Sequence, residues 1–368
     1  MKGALTDIVA LGDFEPLART TMDPAAYDYV AGGAWDEITL AENEAAWRRR
    51  RLRPRVLTDI SGIDPSTTML GAPTAMPLAI APMAAHGLAH PDAELATTRA
   101  AAAARVPFTL STLSTRSIEE VATAAPEGVR WFQLYTQADQ SRTRELVERA
   151  AASGYRAIVV TVDLPRLGYR DRDRRSGFDL VGPHGNFTDV AGGATHAGGI
   201  HATQRGFATQ SGFERLEADP DAALTWRDLT EIRSWSALPI ALKGILTGED
   251  ARLAVEHGAD AIVVSNHGGR QLDRALPTAA ALPEVVDAVA GRAPVLVDGG
   301  LRSGTDVLVA LALGADAVLL GRPVLWALAA DGADGVRACL DAMTADLAHV
   351  MGMAGARTLA EVSRDLVD

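Results

Sequence analysis

From about residue 77 onward one hydrophobic rhythm recurs along the chain. A short apolar run follows a turn, ends in a polar or glycine-rich corner, and gives way to an alanine-rich segment. The runs are 77–81 (PLAIA), 107–111 (PFTLS), 129–134 (VRWFQL), 157–162 (AIVVTV), 239–243 (PIALK), 261–265 (AIVVS), 294–297 (PVLV) and 317–320 (AVLL), eight in all. Runs this short and this rich in Val, Ile and Leu predict parallel strands buried on both faces. The segments between them carry apolar residues three and four apart, as in 145–150 (ELVERA), and predict amphipathic helices. The letters repeat as well. GADAIVV at 258–264 matches GADAVLL at 314–320, each with a glycine ending a helix and an aspartate before the next strand. Eight β-then-α units predict a closed (β/α)8 TIM barrel. An open doubly wound sheet competes less well. The strict alternation leaves no edge needing cover, and no G-x-G-x-x-G follows the first strand.

Three stretches stand apart from the repeat, within what reads as a single domain over 1–368 whose barrel core, 77–330, includes the second of them. Residues 1–76 read as helical, with Tyr27, Tyr29, Trp35 and Trp47 as aromatic anchors, and are expected to pack against one end of the barrel. Residues 171–224, after the fourth strand, are rich in Gly, His, Thr, Asp and Arg and read as a long loop or lid. Residues 331–368 read as C-terminal helices.

Composition narrows the partners. Of the 368 residues, 48% are apolar and 22% charged, as in ordinary soluble proteins. A formal charge of −12 would repel phosphate backbones, which argues against nucleic acid. The run Arg48-Arg49-Arg50-Arg51, with Arg53 and Arg55, reads as the exposed side of an amphipathic segment. Cys339 is the one cysteine, so there is no intrachain disulfide, and a reducing compartment is expected. Asp7, Asp13 and Glu15 interrupt the start of the chain, and no stretch offers about 18 consecutive apolar residues. A cytoplasmic protein without membrane contact is the expectation.

The active site of such a barrel lies at the C-terminal ends of its strands. The first two runs end in Pro82-Met83-Ala84-Ala85 and Ser111-Thr112. The third supplies Gln133 and Tyr135, the fourth Thr161, Asp163 and Arg170, and the fifth Lys243. The last three end in Ser265-Asn266-His267-Gly268-Gly269-Arg270, Asp298-Gly299-Gly300-Leu301-Arg302 and Gly321-Arg322-Pro323. Glycine corners carrying Arg302 and Arg322 before helix N-termini suit a phosphate, although the glycines can also simply make tight turns. Lys243 can face an anion or an electron-rich ring, pair with a carboxylate, or form a Schiff base. His267 has the chemistry of an acid/base. Asp163 can orient it, or cap a helix. Arg170 and Arg270 can both fork onto one carboxylate. His86 and His90 stand four apart, but Gly87 and Pro91 point to a loop and no third ligand joins them, so no metal is expected. His184, His196 and His201 read as solvated, and Trp131, Trp226, Trp235 and Trp326 as packing.

These strand ends resemble the FMN-dependent 2-hydroxy acid oxidase and dehydrogenase family, which includes glycolate oxidase, lactate oxidase, mandelate dehydrogenase and hydroxymandelate oxidase. The likeness spans about Tyr27 to Arg357. It rests on 265–273 (SNHGGRQLD), 297–305 (VDGGLRSGT) and 320–323 (LGRP), supported by 132–135 (FQLY), 161–163 (TVD), 27–29 (YDY) and 40–43 (LAEN). The resemblance implies oxidation of an (S)-2-hydroxy acid to the 2-keto acid, with FMN as cofactor and oxygen or another electron acceptor. It makes His267 the catalytic base with Asp163 behind it. Arg170 and Arg270 would hold the substrate carboxylate, and Tyr29 and Tyr135 would touch carboxylate or hydroxyl. Lys243 would sit by the flavin N1 edge. Ala84, Ser111, Gln133, Thr161 and Ser265 would line the ring, Asp298 the ribityl chain, and Gly300, Arg302, Gly321 and Arg322 the phosphate. A homotetramer is also implied.

Departures from the family bear on the substrate. Met83 replaces a frequent Thr, Ala85 a longer Met, and Leu113 a Trp of glycolate oxidases, and the smaller groups at the last two predict a wider pocket. The stretches 168–173 (GYRDRD) and 86–91 (HGLAHP) resemble mandelate dehydrogenases and hydroxymandelate oxidases respectively. A bulky, aromatic 2-hydroxy acid is therefore favoured over glycolate, with lactate still open. The main rival is a Schiff-base aldolase using Lys243, and a non-catalytic phosphate-binding barrel is a further one.

Overall fold

The computed structural model describes residues 8–137, 139–178, 180, 185–187 and 224–368. Its strands are β1 (Thr67–Met69), β2 (Ala72–Thr74), β3 (Leu78–Met83), β4 (Phe108–Ser111), β5 (Arg130–Leu134), β6 (Ile158–Thr161), β7 (Ile240–Ile245), β8 (Ala261–Val264), β9 (Val295–Val297) and β10 (Ala317–Leu320). β3 to β10 are the eight predicted runs, each within two residues at either end. They form a closed parallel barrel, sealed where β10 pairs with β3 through Val318 and Leu78. Closure excludes the open doubly wound sheet.

Alternation along each strand sorts its side chains into two cores. Leu78, Ile80, Phe108, Leu110, Phe132 and Leu134 point outward and join the helices in one large apolar cluster. Ala79, Ala81, Ala157, Val159, Ala241, Ala261 and Ala317 point inward, around Trp131. Val263, Leu296 and Leu319 complete this inner layer, and the many alanines leave room for the one large indole, which is 1% exposed.

Residues 8–76 are only partly helical. Helices α1 (Phe14–Thr21), α2 (Pro24–Ala31) and α3 (Ile38–Arg49) form, with Asp23 capping α2 ahead of Pro24. But β1 and β2 pair as an antiparallel hairpin. Met69 from that hairpin joins the inner cluster beside residues at the strand beginnings, so the hairpin stoppers the N-terminal mouth. α3 reaches the opposite mouth, where Trp47 Nε1 donates to Gly299 O at 2.7 Å. The segment therefore serves both ends, not the one end expected. Trp47 is a buried anchor, whereas Trp35 is 40% exposed.

Within the long connection after β6, a short helix (Asp171–Ser176) and a turn (Gly185–Phe187) are described. His184, His196 and His201 lie outside the described residues. At the C-terminus the helix Arg322–Ala354 bends at Asp331 and Gly332, and only short 3-10 turns follow it. His86 lies in a 3-10 turn, fully buried, with Nδ1 2.9 Å from Thr97 Oγ1. Among the described residues no helix is long and apolar enough to cross a membrane.

The twin GADA motifs have one structural cause. Asp260 Oδ2 accepts the N–H of Ile240 at 2.8 Å, and Asp316 Oδ2 accepts that of Val295 at 2.7 Å. Each carboxylate thus takes up a donor at the start of the preceding strand, while its own N–H extends the ladder to the same residue. Replacing Asp316 by Ala is expected to cost about 1 kcal/mol, read as a lower denaturation midpoint in urea with an unchanged slope.

Candidate active site

Every barrel strand or its following loop contributes to one cavity at the C-terminal mouth. Its wall includes Tyr29, Ala84, Ser111, Tyr135, Thr161, Arg170, Lys243, His267, Arg270, Asp298, Gly300, Arg302, Gly321 and Arg322. Three predicted residues stand just behind that wall. Asp163 backs His267, Ser265 backs Lys243, and Gln133 backs Ser111.

His267 follows β8 on a tight corner in which it, Gly268 and Gly269 all have positive φ (59°, 63° and 76°). For histidine that conformation is strained, and such strain concentrates where a side chain must be aimed. The ring is gripped on both sides, Nδ1 2.9 Å from Asp163 Oδ1 and Nε2 3.3 Å from the Tyr135 hydroxyl. Burial acts to raise the Asp163 carboxyl, but the charges of His267 and Lys243 and the imidazole hydrogen bond prevail, and it lies below the usual carboxylate range. Burial dominates at His267 and lowers its pKa, with Asp163 opposing and Lys243 and Arg170 adding to the lowering. Ionised Asp163 accepts from Nδ1–H, which leaves Nε2 as a lone pair facing the cavity. Burial, chiefly, raises the Tyr135 phenol, with Asp163 reinforcing it, so Tyr135 stays a hydrogen-bond donor.

Two of the basic residues, Arg170 and Arg270, lack an ion pair, although the Asp173 carboxylate lies within electrostatic reach of both. Tyr29 carries the Arg270 guanidinium 4.8 Å and that of Arg170 5.6 Å from its ring centre. Arg270 donates to the carbonyls of Tyr29 (2.6 Å) and Gly32 (3.0 Å), and no carboxylate among the described residues pairs with it. Burial, and then Arg170, brings its pKa down to about 10. Arg170 Nε is buried without a partner. Cations held this way call for an anion. Lys243 differs. Its Nζ lies 2.9 Å from Ser265 Oγ and 3.3 Å from Asp298 Oδ2. Burial works to lower its pKa, yet Asp298 and Asp163 outweigh it, so the ammonium is retained.

The expected phosphate residues are placed less simply. Arg302 pairs with Glu44 at 2.9 Å. Arg322 donates to Val30, Gly268 and Gly32 carbonyls at 3.0, 3.0 and 2.9 Å. At Gly300 a Cβ would lie 2.4 Å from the Asn43 carbonyl carbon, so packing of α3 alone requires glycine there. Gly321 opens onto the cavity beside Met83 and Ala81.

Several contacts were not legible in the sequence. Phe178 stacks on Tyr29 at 4.9 Å between ring centres. Asn43 and Asn266 exchange two buried amide hydrogen bonds at 2.9 and 2.7 Å, tying α3 to the His267 corner. The LAEN segment already contained that asparagine, but without its partner nothing marked it. Of the substrate markers, Met83 and Leu113 line the cavity, whereas Ala85 and His86 are buried away from it.

The site suits a flat, hydrogen-bonding ring. Gln133 Nε2, Thr161 Oγ1 and Asp298 Oδ1 are buried polar atoms without partners, arranged near the Lys243 ammonium at the strand ends. Gln133 Nε2 and Thr161 Oγ1 can donate and Asp298 Oδ1 can only accept, and with the fixed positive charge of Lys243 they match a heterocycle edged with carbonyl and nitrogen acceptors that also carries a donor.

Comparison with known proteins agrees. Residues 18–368 match the model of the FMN-dependent dehydrogenase family. The chain is 49% identical to an L-lactate oxidase of Nostoc sp. over 98% of both chains. It is 45% identical to the glycolate oxidase of Spinacia oleracea, covering 97% of this chain and 95% of that one. Among solved structures, mandelate oxidase with (S)-4-hydroxymandelic acid superposes with a TM-score of 0.89 at 43% identity, covering 98% of each chain. The chain belongs to the FMN-dependent dehydrogenases, and is a flavin-containing oxidoreductase on a (β/α)8 barrel.

Proposed function

We propose that this protein oxidises an (S)-2-hydroxy acid with a bulky, apolar side chain to the 2-keto acid, with His267 as base and Arg170 and Arg270 holding the carboxylate. The observation that carries this reading is one cavity lined together by His267, whose Nδ1 is held by Asp163, and by two arginines without an ion-paired carboxylate. A carboxylate between the arginines would neutralise the cluster and fix the adjoining Cα–OH group beside Nε2. Tyr29 and Tyr135 would contact that carboxylate and hydroxyl. Nε2 then takes the proton from Cα or from the hydroxyl, and Asp163 stabilises the resulting imidazolium.

FMN, when bound, supplies the two-electron oxidant. Ala84, Ser111, Gln133, Thr161 and Ser265 would border its ring, with Lys243 offering positive charge to the ring edge. Asp298 would serve the ribityl chain, and the Gly300, Arg302, Gly321 and Arg322 corners the phosphate. In that role Arg322 would exchange backbone carbonyls for phosphate oxygens.

The bulky side chain follows from the remaining wall, where Met83, Leu113, Leu164 and Leu167 are all apolar. The likeness to mandelate oxidase points the same way. Lactate is the second reading, favoured by the relative at 49% identity. The aldolase reading fares worse. A Schiff-base lysine must lose its proton, and Asp298 holds the Lys243 ammonium in place.

Anaerobic addition of (S)-mandelate, (S)-lactate and glycolate to the yellow holoenzyme should bleach it, most readily with mandelate. Absence of bleaching with every 2-hydroxy acid would overturn the proposal. Admission of air then shows whether oxygen restores the colour. His267→Ala should retain FMN and lose roughly 100- to 10,000-fold in kcat; undiminished turnover would remove His267 from the mechanism. The base works only when neutral, so kcat/KM should fall as pH drops through the lowered pKa of His267, below the usual imidazole range. Asp163→Asn removes the charge that opposes this lowering, and its acid limb should move further down.

A further inference from the structure

Gln271 lies four residues beyond His267 and is buried, yet none of the chemistry above uses it. Its amide crosses the seam between the loops leaving β6 and β8. Nε2 donates to the carbonyls of Asp163 at 3.0 Å and Arg166 at 2.8 Å, and Oε1 accepts the N–H of Gly168 at 3.2 Å. All three partners belong to the stretch 163–168, which carries Leu164 and Leu167 into the cavity wall and ends two residues before Arg170. The two loops also touch backbone to backbone. A Cβ on Gly168 would lie 2.5 Å from Arg270 O and 2.6 Å from Gln271 O.

We propose that Gln271 is a positioning residue that locks 163–168 onto 267–271, and so sets Arg170 against Arg270 and Asp163 against His267. The topology explains the need. β7 stands between β6 and β8, so no strand ladder ties these two loops to each other. The imidazole–carboxylate contact joins them at one point, and one point leaves rotation free. Gln271 adds three more within a few residues. The head group must present two donors and one acceptor on a short planar unit, which an amide does and a carboxylate does not. Glutamate here would face two carbonyl oxygens with a third acceptor.

The inference rests on the roles of Arg170, Arg270 and His267 proposed above. Its test uses the FMN-loaded protein and Gln271→Met, which keeps the length and removes all three hydrogen bonds. KM for the hydroxy acid should rise on the order of tenfold or more. The Kd for phenylacetate, which has the carboxylate but no hydroxyl, should rise with it, read from the visible flavin spectrum. The acid limb of kcat/KM should shift down, since a loosened Asp163 supports the imidazole less. Gln271→Glu should raise KM and the phenylacetate Kd further, while its added negative charge opposes the downward shift of the acid limb. If Q271M does not fold, Gln271→Asn, with the amide one methylene short, is judged on the same constants. Unchanged KM, phenylacetate Kd and pH profile in the flavin-loaded fraction, with at most a lower Tm, would make Gln271 merely structural and overturn the proposal. A wild-type protein that no hydroxy acid bleaches would instead overturn the functional reading.

Discussion

Five basic side chains, Lys243, Arg170, Arg270, Arg302 and Arg322, line one cavity, and among the described residues only Lys243 and Arg302 meet a carboxylate, Asp298 and Glu44. Much of the site follows from that excess of positive charge in a low-dielectric space. It keeps Asp163 ionised despite burial, adds to the lowering of the His267 pKa, and adds to the burial that brings even Arg270 down to about 10. A cavity with this balance favours ligands that bring negative charge. A phosphate-bearing cofactor and a carboxylate substrate both do so. Arg270 and Arg322 meanwhile rest on the same backbone carbonyl, that of Gly32, which spreads their charge without cancelling it.

The barrel makes this concentration of charge tolerable. Its interior is largely apolar around Trp131, its N-terminal mouth is closed by the β1–β2 hairpin, and the charged groups of the site stand at the opposite end. The strand ends are held by ladders, but the loops beyond them are not. They are tied by side chains, namely His267 to Asp163, Asn43 to Asn266, Gln271 to the 163–168 stretch, and Trp47 to Gly299. These contacts make α3 and the β6 and β8 loops parts of one mouth, although they lie far apart in the chain. Family membership gives this arrangement its cofactor, FMN, and its oxidoreductase chemistry.

Much of the barrel was legible because its signals are local. A buried parallel strand must be short and apolar, an amphipathic helix must repeat every three or four residues, and both leave marks within ten residues. The GADA motifs were legible for the same reason, although their purpose, capping a strand N–H, appeared only in three dimensions. The hairpin escaped because its strands have three residues each and the polar TTM and APT segments show no alternation that demands burial. Met69 is buried there because a barrel mouth is present to receive it.

The sequence by itself determined the number of barrel strands, the helix periodicity and which chemical groups stand at the strand ends, since each is written in neighbouring residues. Tertiary structure decided which of those groups meet. Arg302 turns to Glu44, Gly300 is required by α3, Ala85 and His86 fall outside the cavity, and Phe178 reaches Tyr29. Pairings of this kind depend on distances across loops that no local periodicity encodes, so they exist only once the barrel has closed.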